Sequence, residues 1–349
     1  MTFTFMDFCA GIWCWRLGLE LAWFKCVAFS EIDKKAEITY RTFFGNEERN
    51  FWDLMQINTE ELPDIDMLIA GFPCQTFSII WQRNWMWDPR WQVIFGIAKI
   101  LKEKNVKYFL LENVKWLVNH DWGDTIKNIV NLLDELWYYV NWKVLNTADY
   151  GLPQSRERVY FMWVRKDIWQ FDFAFTFPQK QGKDTLGKYL IETSEKYVLN
   201  TKRLDRIRDY LNNKYNKGKY TVEDLEKMDW YIIDTRQSDI RLYNDISPTL
   251  RTWRHWLLYV RDGKLRDLSG IEWLLLQGIP LDIAEKVRWN VSDTDLLSQA
   301  GNAMSVNVIG AIGKQFRKFI LWHKPNGRLG RAWVTNSKTL ISEWSWRNW

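Results

Sequence analysis

The chain has 349 residues, 47% hydrophobic and 26% charged, with 48 Lys+Arg against 43 Asp+Glu and a formal net charge of +5. This composition excludes a disordered chain, a collagen-like fibre and a coiled coil, and the length suits about two domains. No apolar run approaches the ~20 residues of a membrane span, and Met1-Thr2-Phe3-Thr4-Phe5 lacks the basic start and apolar run of a secretory signal.

Apolar runs and turn residues predict alternating strands and helices over the first half. Phe3–Phe8 reads as a strand, followed by a helix over Leu17–Trp23. A strand at Cys26–Phe29 and a helix at Asp33–Phe43 come next. Asp66–Ala70 and Tyr108–Leu111 read as buried strands, with a helix over Val93–Glu103 between them. An amphipathic helix over Thr125–Leu136 and a strand over Arg158–Val164 follow. This alternation predicts an α/β fold with a largely parallel sheet and ligands beyond the strands' carboxyl ends. From Asp167 to about residue 260 the chain reads as polar and irregular. Lys202 to Lys219 holds seven basic and two acidic residues, equally suited to a solvated face and to nucleic acid. Apolar periodicity returns between Leu265 and Pro280, Ser305–Phe319 reads as a long helix, and the segment from Asn326 to Trp349 has little pattern.

Several short segments carry chemistry. Asp7-Phe8-Cys9-Ala10-Gly11-Ile12 closes a strand and opens a helix, where backbone N–H groups can approach a cofactor. Glu31, about 20 residues on, suits ribose hydroxyls, although a helix-capping role for this Ser30–Asp33 stretch fits the spacing equally. Asp53 stands in a third such loop and could accept from an adenine amino group. In Gly71-Phe72-Pro73-Cys74-Gln75 a cysteine follows a proline directly after an apolar strand, a setting for a nucleophile. The chain has three histidines, His120, His255 and His323, none near Cys74 in sequence, which disfavours a Cys–His protease. Glu112-Asn113-Val114 ends the next strand, with Asn113 also suited to capping a helix. Arg156 and Arg158 share one face of a strand and suit a base carbonyl or a phosphate. The four cysteines form neither a disulfide framework nor a CxxC pair, which fits a reducing cytoplasm and no structural metal.

In this order, GFPCQ, ENV, the Gln154-Ser155-Arg156-Glu157-Arg158 stretch, Leu276-Gln277-Gly278-Ile279-Pro280 and Gln299-Ala300-Gly301-Asn302-Ala303 resemble the cytosine-C5 DNA methyltransferase family. The likeness covers roughly residues 3–165 and 246–310. It implies a Rossmann-like mixed sheet, with residues 1–166 and 298–325 as catalytic domain, 167–297 as target-recognition domain and 326–349 as tail. It implies Cys74 as nucleophile toward C6 of a flipped cytosine and Glu112 as proton donor to N3. Arg158 and Arg156 would bind O2. S-adenosyl-L-methionine would contact Cys9, Ala10, Gly11, Ile12, Glu31, Ile32, Asp53, Leu54, Pro73, Val93 and Asn302. The loop from Ser78 to Trp91 would close over the base. Asp234-Thr235-Arg236-Gln237 and Thr249-Leu250-Arg251-Thr252 would read double-stranded DNA. A cognate restriction endonuclease is an implied partner, and a monomer would suffice. Two other readings share these residues: a tRNA cytosine-C5 methyltransferase, and an inactive methyltransferase-like module that binds nucleic acid.

One property departs from the family. Trp occurs 24 times and Gly 18 times. Trp13, Trp52, Trp81, Trp85, Trp91 and Trp116 stand where the resemblance calls for glycine, and Trp23, Trp142, Trp163, Trp253 and Trp256 look similar. Glycine serves such places because backbone must approach closely or take a positive φ. The pattern is the one that reading UGA glycine codons as tryptophan would generate.

Overall fold

The computed structural model describes residues 2–12, 14–72, 92–168, 175–252 and 256–322. The central sheet contains β1 (Phe3–Phe8), β2 (Phe24–Ser30), β3 (Met67–Gly71), β4 (Tyr108–Val114), β5 (Tyr138–Asn146) and β6 (Glu157–Arg165). Their spatial order is β2-β1-β3-β4-β6-β5. β2, β1, β3 and β4 run parallel, whereas β6 pairs antiparallel with β4 and β5. The expected mixed α/β sheet is present. The chain steps from β1 outward to β2, then returns to the other side of β1 as β3. That reversal opens a crevice at the carboxyl ends of β1 and β3, the usual ligand position in such sheets.

Strand alternation divides the core in two. Phe5, Met67, Ile69 and Leu110 face one apolar layer, while Met6, Leu68, Ala70 and Phe109 face the other. The first layer is closed by the helices Cys14–Glu20, Lys34–Phe44 and Val306–Trp322, the second by Gln92–Glu103 and Asp124–Glu135. Asp33 caps the second of these helices, its side chain accepting from the N–H groups of Lys35 and Ala36. Apolar packing of the first layer continues through Ile271, Leu274 and Leu296 to Ala300 and Ile309, so it crosses residue 297 without a break.

Three elements differ from expectation. The first helix spans Cys14–Glu20 rather than Leu17–Trp23, and Trp23 lies beyond it at φ 68°. β5 was not foreseen: its residues are mostly half-exposed, so no apolar run announces it. The segment expected to be irregular holds a second sheet of β7 (Tyr231–Asp234), β8 (Arg241–Asn244), β9 (Leu257–Arg261) and β10 (Lys264–Asp267), in the order β10-β9-β7-β8. Its pairs are all antiparallel, and its core includes Leu225, Ile233, Leu258 and Leu265.

The Cys14–Glu20 and Val306–Trp322 helices approach closely at Gly18. A Cβ there would lie 2.6 Å from Ile309 Cβ and 2.9 Å from the Val306 carbonyl oxygen. We expect Gly18→Ala to lower stability by about 1–3 kcal/mol through overpacking, despite alanine's helix preference. A urea midpoint at or above the parent value would contradict this contact.

Candidate active site

One side of the crevice is built from the turns that follow β1 and β2. Cys9 and Gly11 both take left-handed backbone, at φ 54° and 56°, and turn the chain sharply after β1. Ala10 N–H donates to the Ser30 carbonyl, joining this turn to the end of β2. Glu31 holds the turn in place: Oε2 accepts from Gly11 N–H at 2.7 Å and Oε1 accepts from Asp33 N–H at 2.8 Å. Asn50 then fixes Glu31, donating to its carbonyl and accepting from its N–H. Burial outweighs these bonds and raises the Glu31 pKa. Ile32 beside it is an exposed apolar side chain. Asp53 caps the next turn, accepting from Met55 N–H and from the Gln56 side chain. Leu54, Ala10 and Ile12 are buried in the core, so a ligand here would meet the turns mainly through backbone.

Asp7, absent from the expected site, is the most unusual group in the crevice. It is fully buried, and neither carboxylate oxygen has a hydrogen-bond partner among the described residues. Burial and the Glu31 charge raise its pKa well above the usual carboxylate range, with Arg16 opposing. The Cys9 thiol is pushed up to about 12 by burial and by the charges of Glu31, Asp7 and Asp53, so it stays protonated. Strand parity was the available signal for Asp7, because it shares a face with Phe3 and Phe5, and the strand's other polar residue, Thr4, lies on the opposite face.

The second half of the site lies at the ends of β3, β4 and β6. Register pairs Gly71 with Glu112, and Glu112 with Tyr160. Glu112 is 8% exposed, and Arg158 Nε lies 3.1 Å from its Oε1. A Cβ on Gly71 would sit 3.5 Å from Glu112 Oε2 and 3.1 Å from Met304 Cε, so glycine keeps this corner open. Burial raises the Glu112 pKa, while Arg158 and Arg156 pull it down without prevailing. Asn113 does not cap a helix; its amide donates to the Phe72 carbonyl at 3.0 Å and ties β4 to the loop that follows β3.

Arg156 has a different setting from Arg158. It is buried, and its guanidinium donates to the carbonyls of Leu250, Gly301 and Ala303. Gln154, also fully buried, donates to the Leu276 carbonyl, and Gln277 donates to the Ala300 carbonyl. Gln154 and Gln277 were not foreseen as site residues. Together with Arg156 they clamp the Leu276–Pro280 and Gln299–Ala303 stretches against the start of β6. Asn302 lies at the end of the Asp293–Asn302 helix, its side chain accepting from the Thr252 hydroxyl. Val93 lies in the Gln92–Glu103 helix, half-buried against the second layer. Cys74, Pro73 and the Ser78–Trp91 loop lie outside the described residues.

With this geometry in place, comparison with known proteins decides the family. The profile of the C-5 cytosine-specific DNA methylase family matches residues 3–318. The chain belongs to that family. It is a DNA cytosine-C5 methyltransferase by descent, and bacterial enzymes are among its relatives. It is 35% identical over 320 residues to the type II methyltransferase M.BsuFI of Bacillus subtilis, covering 91% of this chain and 73% of that one. Against the type II methyltransferase M.HhaI of Haemophilus parahaemolyticus, identity is 31%, covering 87% and 91% of the two chains. Among solved structures, a DNA modification methyltransferase encoded in an E. coli prophage aligns with a TM-score of 0.66 at 19% identity, covering 92% of this chain and 100% of that one. The Dnmt2 methyltransferase of S. pombe aligns at 0.62 and 19%, covering 91% and 99%. At such identities these two structures support the fold alone.

The clamp predicts that Arg156→Ala lowers unfolding free energy by about 3 kcal/mol or more, from lost charge-assisted bonds and orphaned carbonyls. Arg156→Lys would recover little of it, because one ammonium cannot span three carbonyls. Denaturant midpoints equal to the parent would contradict the clamp. The carboxyl group under the first turn has its own signature. Between the ordinary aspartate pKa and the raised one of Asp7, the folded chain binds a proton that the unfolded chain does not. Stability therefore falls as pH rises across that window. Asp7→Asn should flatten this slope, and an unchanged pH profile of the melting temperature would refute it.

Proposed function

We propose that the chain transfers a methyl group from S-adenosyl-L-methionine to C5 of a cytosine flipped out of a specific duplex DNA sequence. The observation that carries this reading is the pair of buried Glu112 and half-buried Arg158 at the carboxyl edge, one strand from Gly71, where the GFPCQ loop begins. A carboxyl group with a raised pKa beside a fixed guanidinium suits the polar edge of a pyrimidine. Arg158 would meet O2, and Glu112 would meet N3 and the exocyclic amine. Arg156 would serve by positioning, since both of its terminal amino groups donate to backbone carbonyls, while its Nε has no partner among the described residues.

Cytosine C5 is a weak nucleophile. In the proposed step the Cys74 thiolate adds to C6, the C5–C6 π pair moves through the ring, and Glu112 supplies the proton that N3 takes. C5 is then enamine-like and would accept the methyl group that a bound sulfonium donor would supply, the donor leaving as the neutral thioether. A base removes the C5 proton, that electron pair expels the Cys74 thiolate, and N3 returns its proton to Glu112. Covalent activation divides one high barrier into smaller ones, and extrusion of the base is required because C5 lies within the stack.

The crevice fits a cation that carries a ribose. Asp7 and Glu31 place two carboxyl groups at the first turn, Asp53 lies behind them, and Ile32 presents an apolar surface. Bound there, S-adenosyl-L-methionine supplies an electrophilic methyl. Glu31 would hold ribose hydroxyls, and the first-turn backbone from Cys9 to Ile12 would approach the methionine part. Asp53, Leu54, Pro73, Val93 and Asn302 would complete the contacts.

Relatives above 30% identity are named type II methyltransferases, which favours duplex DNA over tRNA and suggests a restriction endonuclease acting on the same site. The small sheet β7–β10 with its basic flank would lie against that DNA, with residues 167–297 as its recognition part. A monomer suffices for every contact proposed. Methyl-transfer assays with duplex DNA and with tRNA test the substrate: incorporation into DNA alone is expected, and incorporation into tRNA alone would reverse the reading.

The role of Glu112 has a pH signature. Its raised pKa keeps the acid form available above the ordinary glutamate range, and proton supply is lost as pH rises through the raised value. Single-turnover methylation should fall on that alkaline limb. Glu112→Gln should slow it by about 10²–10⁴-fold and remove the limb. A variant with the parent rate and profile would eliminate Glu112 as the acid.

A further inference from the structure

The tryptophans occupy backbone and environments that do not suit an indole. Among the described residues, ten other than glycine have left-handed φ, and five are tryptophan: Trp23 at 68°, Trp52 at 56°, Trp122 at 55°, Trp137 at 70° and Trp230 at 66°. Four of the rest are Asn105, Asp121, Asp245 and Asp262, residue types that tolerate this region through short polar side chains. Tryptophan has no such property, and these five are all at least one-third exposed, Trp122 at 93%. Little packing offsets the backbone cost at Trp23, Trp122 and Trp137; Trp230, the most covered of the five, lies against Gly187 and under the Arg261 guanidinium. Glycine takes positive φ without penalty and is the usual residue after a helix or within such a turn.

A second observation is independent of φ. Trp15, Trp163 and Trp273 are fully buried, and in each the indole Nε1–H has no hydrogen-bond partner among the described residues. Buried indoles ordinarily find one.

We infer that the working protein carries glycine at positions 23, 52, 122, 137 and 230, and that these tryptophans arise from UGA codons that mean glycine in the source's own code but were read as tryptophan. Position 52 has a functional consequence, which rests on the proposed cofactor site. Its N–H donates to Asn50 Oδ1 and its carbonyl accepts from Ser30 Oγ, so this residue joins the two turns that hold Glu31 and Asp53. Glycine there removes an exposed indole from the crevice rim and leaves both backbone bonds intact.

The coding sequence and a paired substitution series test the inference. UGA is expected at all five codons, and UGG at them would overturn it. At each position, Trp→Gly and Trp→Ala are compared by melting temperature. Both remove the indole, so the difference reports the backbone alone. In ordinary backbone glycine is the less stable of the two. Here Trp23→Gly, Trp52→Gly, Trp122→Gly, Trp137→Gly and Trp230→Gly should each melt about 2–4 °C above the matching alanine variant and no lower than the parent. Alanine variants melting at or above the glycine variants, or glycine variants melting well below the parent, would overturn it. No readout requires catalysis, so a failed methyltransferase reading would not disturb the result. Calorimetric titration of Trp52→Gly with S-adenosyl-L-methionine separates the two: stabilisation without binding would uphold the glycine assignment and remove the cofactor reading.

Discussion

The register between β3, β4 and β6 is the constraint on which the rest of the site depends. Parallel pairing sets Gly71 against Glu112, and antiparallel pairing sets Glu112 against Tyr160, with Arg158 two residues along on the same face. A slip of one residue would turn Glu112 into the opposite layer and leave an unpaired carboxyl group in apolar surroundings. Apolar residues on alternating sides of all three strands oppose that slip. The packing that stabilises the fold thus also places an acid and a guanidinium at one sheet edge.

Around that pair the polar side chains divide into two groups. Gln154, Arg156 and Gln277 are buried and committed to backbone carbonyls, so they bind distant parts of the chain together. Glu112 and Arg158 have each other and an open corner at Gly71. Gln154, Arg156 and Arg158 lie at alternate positions of one extended segment, yet they serve structure at one end and the reaction centre at the other. The crevice shows a similar division: Glu31 and Asp53 shape turns by accepting backbone N–H groups, whereas Asp7 has no hydrogen-bond partner among the described residues.

Much of this was legible in the sequence. Strands β1 to β4 and β6 announced themselves as apolar runs, and the motif order placed Glu31, Glu112 and Arg158 at loops on one edge. β5 was hidden because an outer strand with half-exposed residues carries no continuous apolar signal. β7 to β10 were hidden because they are four or five residues long and interleaved with charge. Arg156 read as a ligand-binding twin of Arg158, because spacing shows that two side chains share a face but not what each meets there. The structural role of Gln154 and Gln277 depends on contacts more than 100 and 20 residues away respectively, which local pattern does not reveal. Trp23 and Trp52 were legible as misplaced glycines, and their left-handed φ supplies the physical reason; Trp122, Trp137 and Trp230 emerge only from the backbone, whereas Trp116, Trp142 and Trp163 sit in ordinary helix or strand.

The central claim is that a cysteine three residues beyond Gly71 adds to a pyrimidine held by Glu112 and Arg158. The most direct measurement is covalent trapping on duplex DNA that contains 5-fluorocytosine, with S-adenosyl-L-methionine present. The fluorine blocks loss of the C5 substituent, so the adduct persists and peptide mass spectrometry can locate it. The chain with glycine at positions 23, 52, 122, 137 and 230 should give one adduct, at Cys74. An adduct on another side chain, or methylation of ordinary DNA by that chain with no trapped species, would contradict the account.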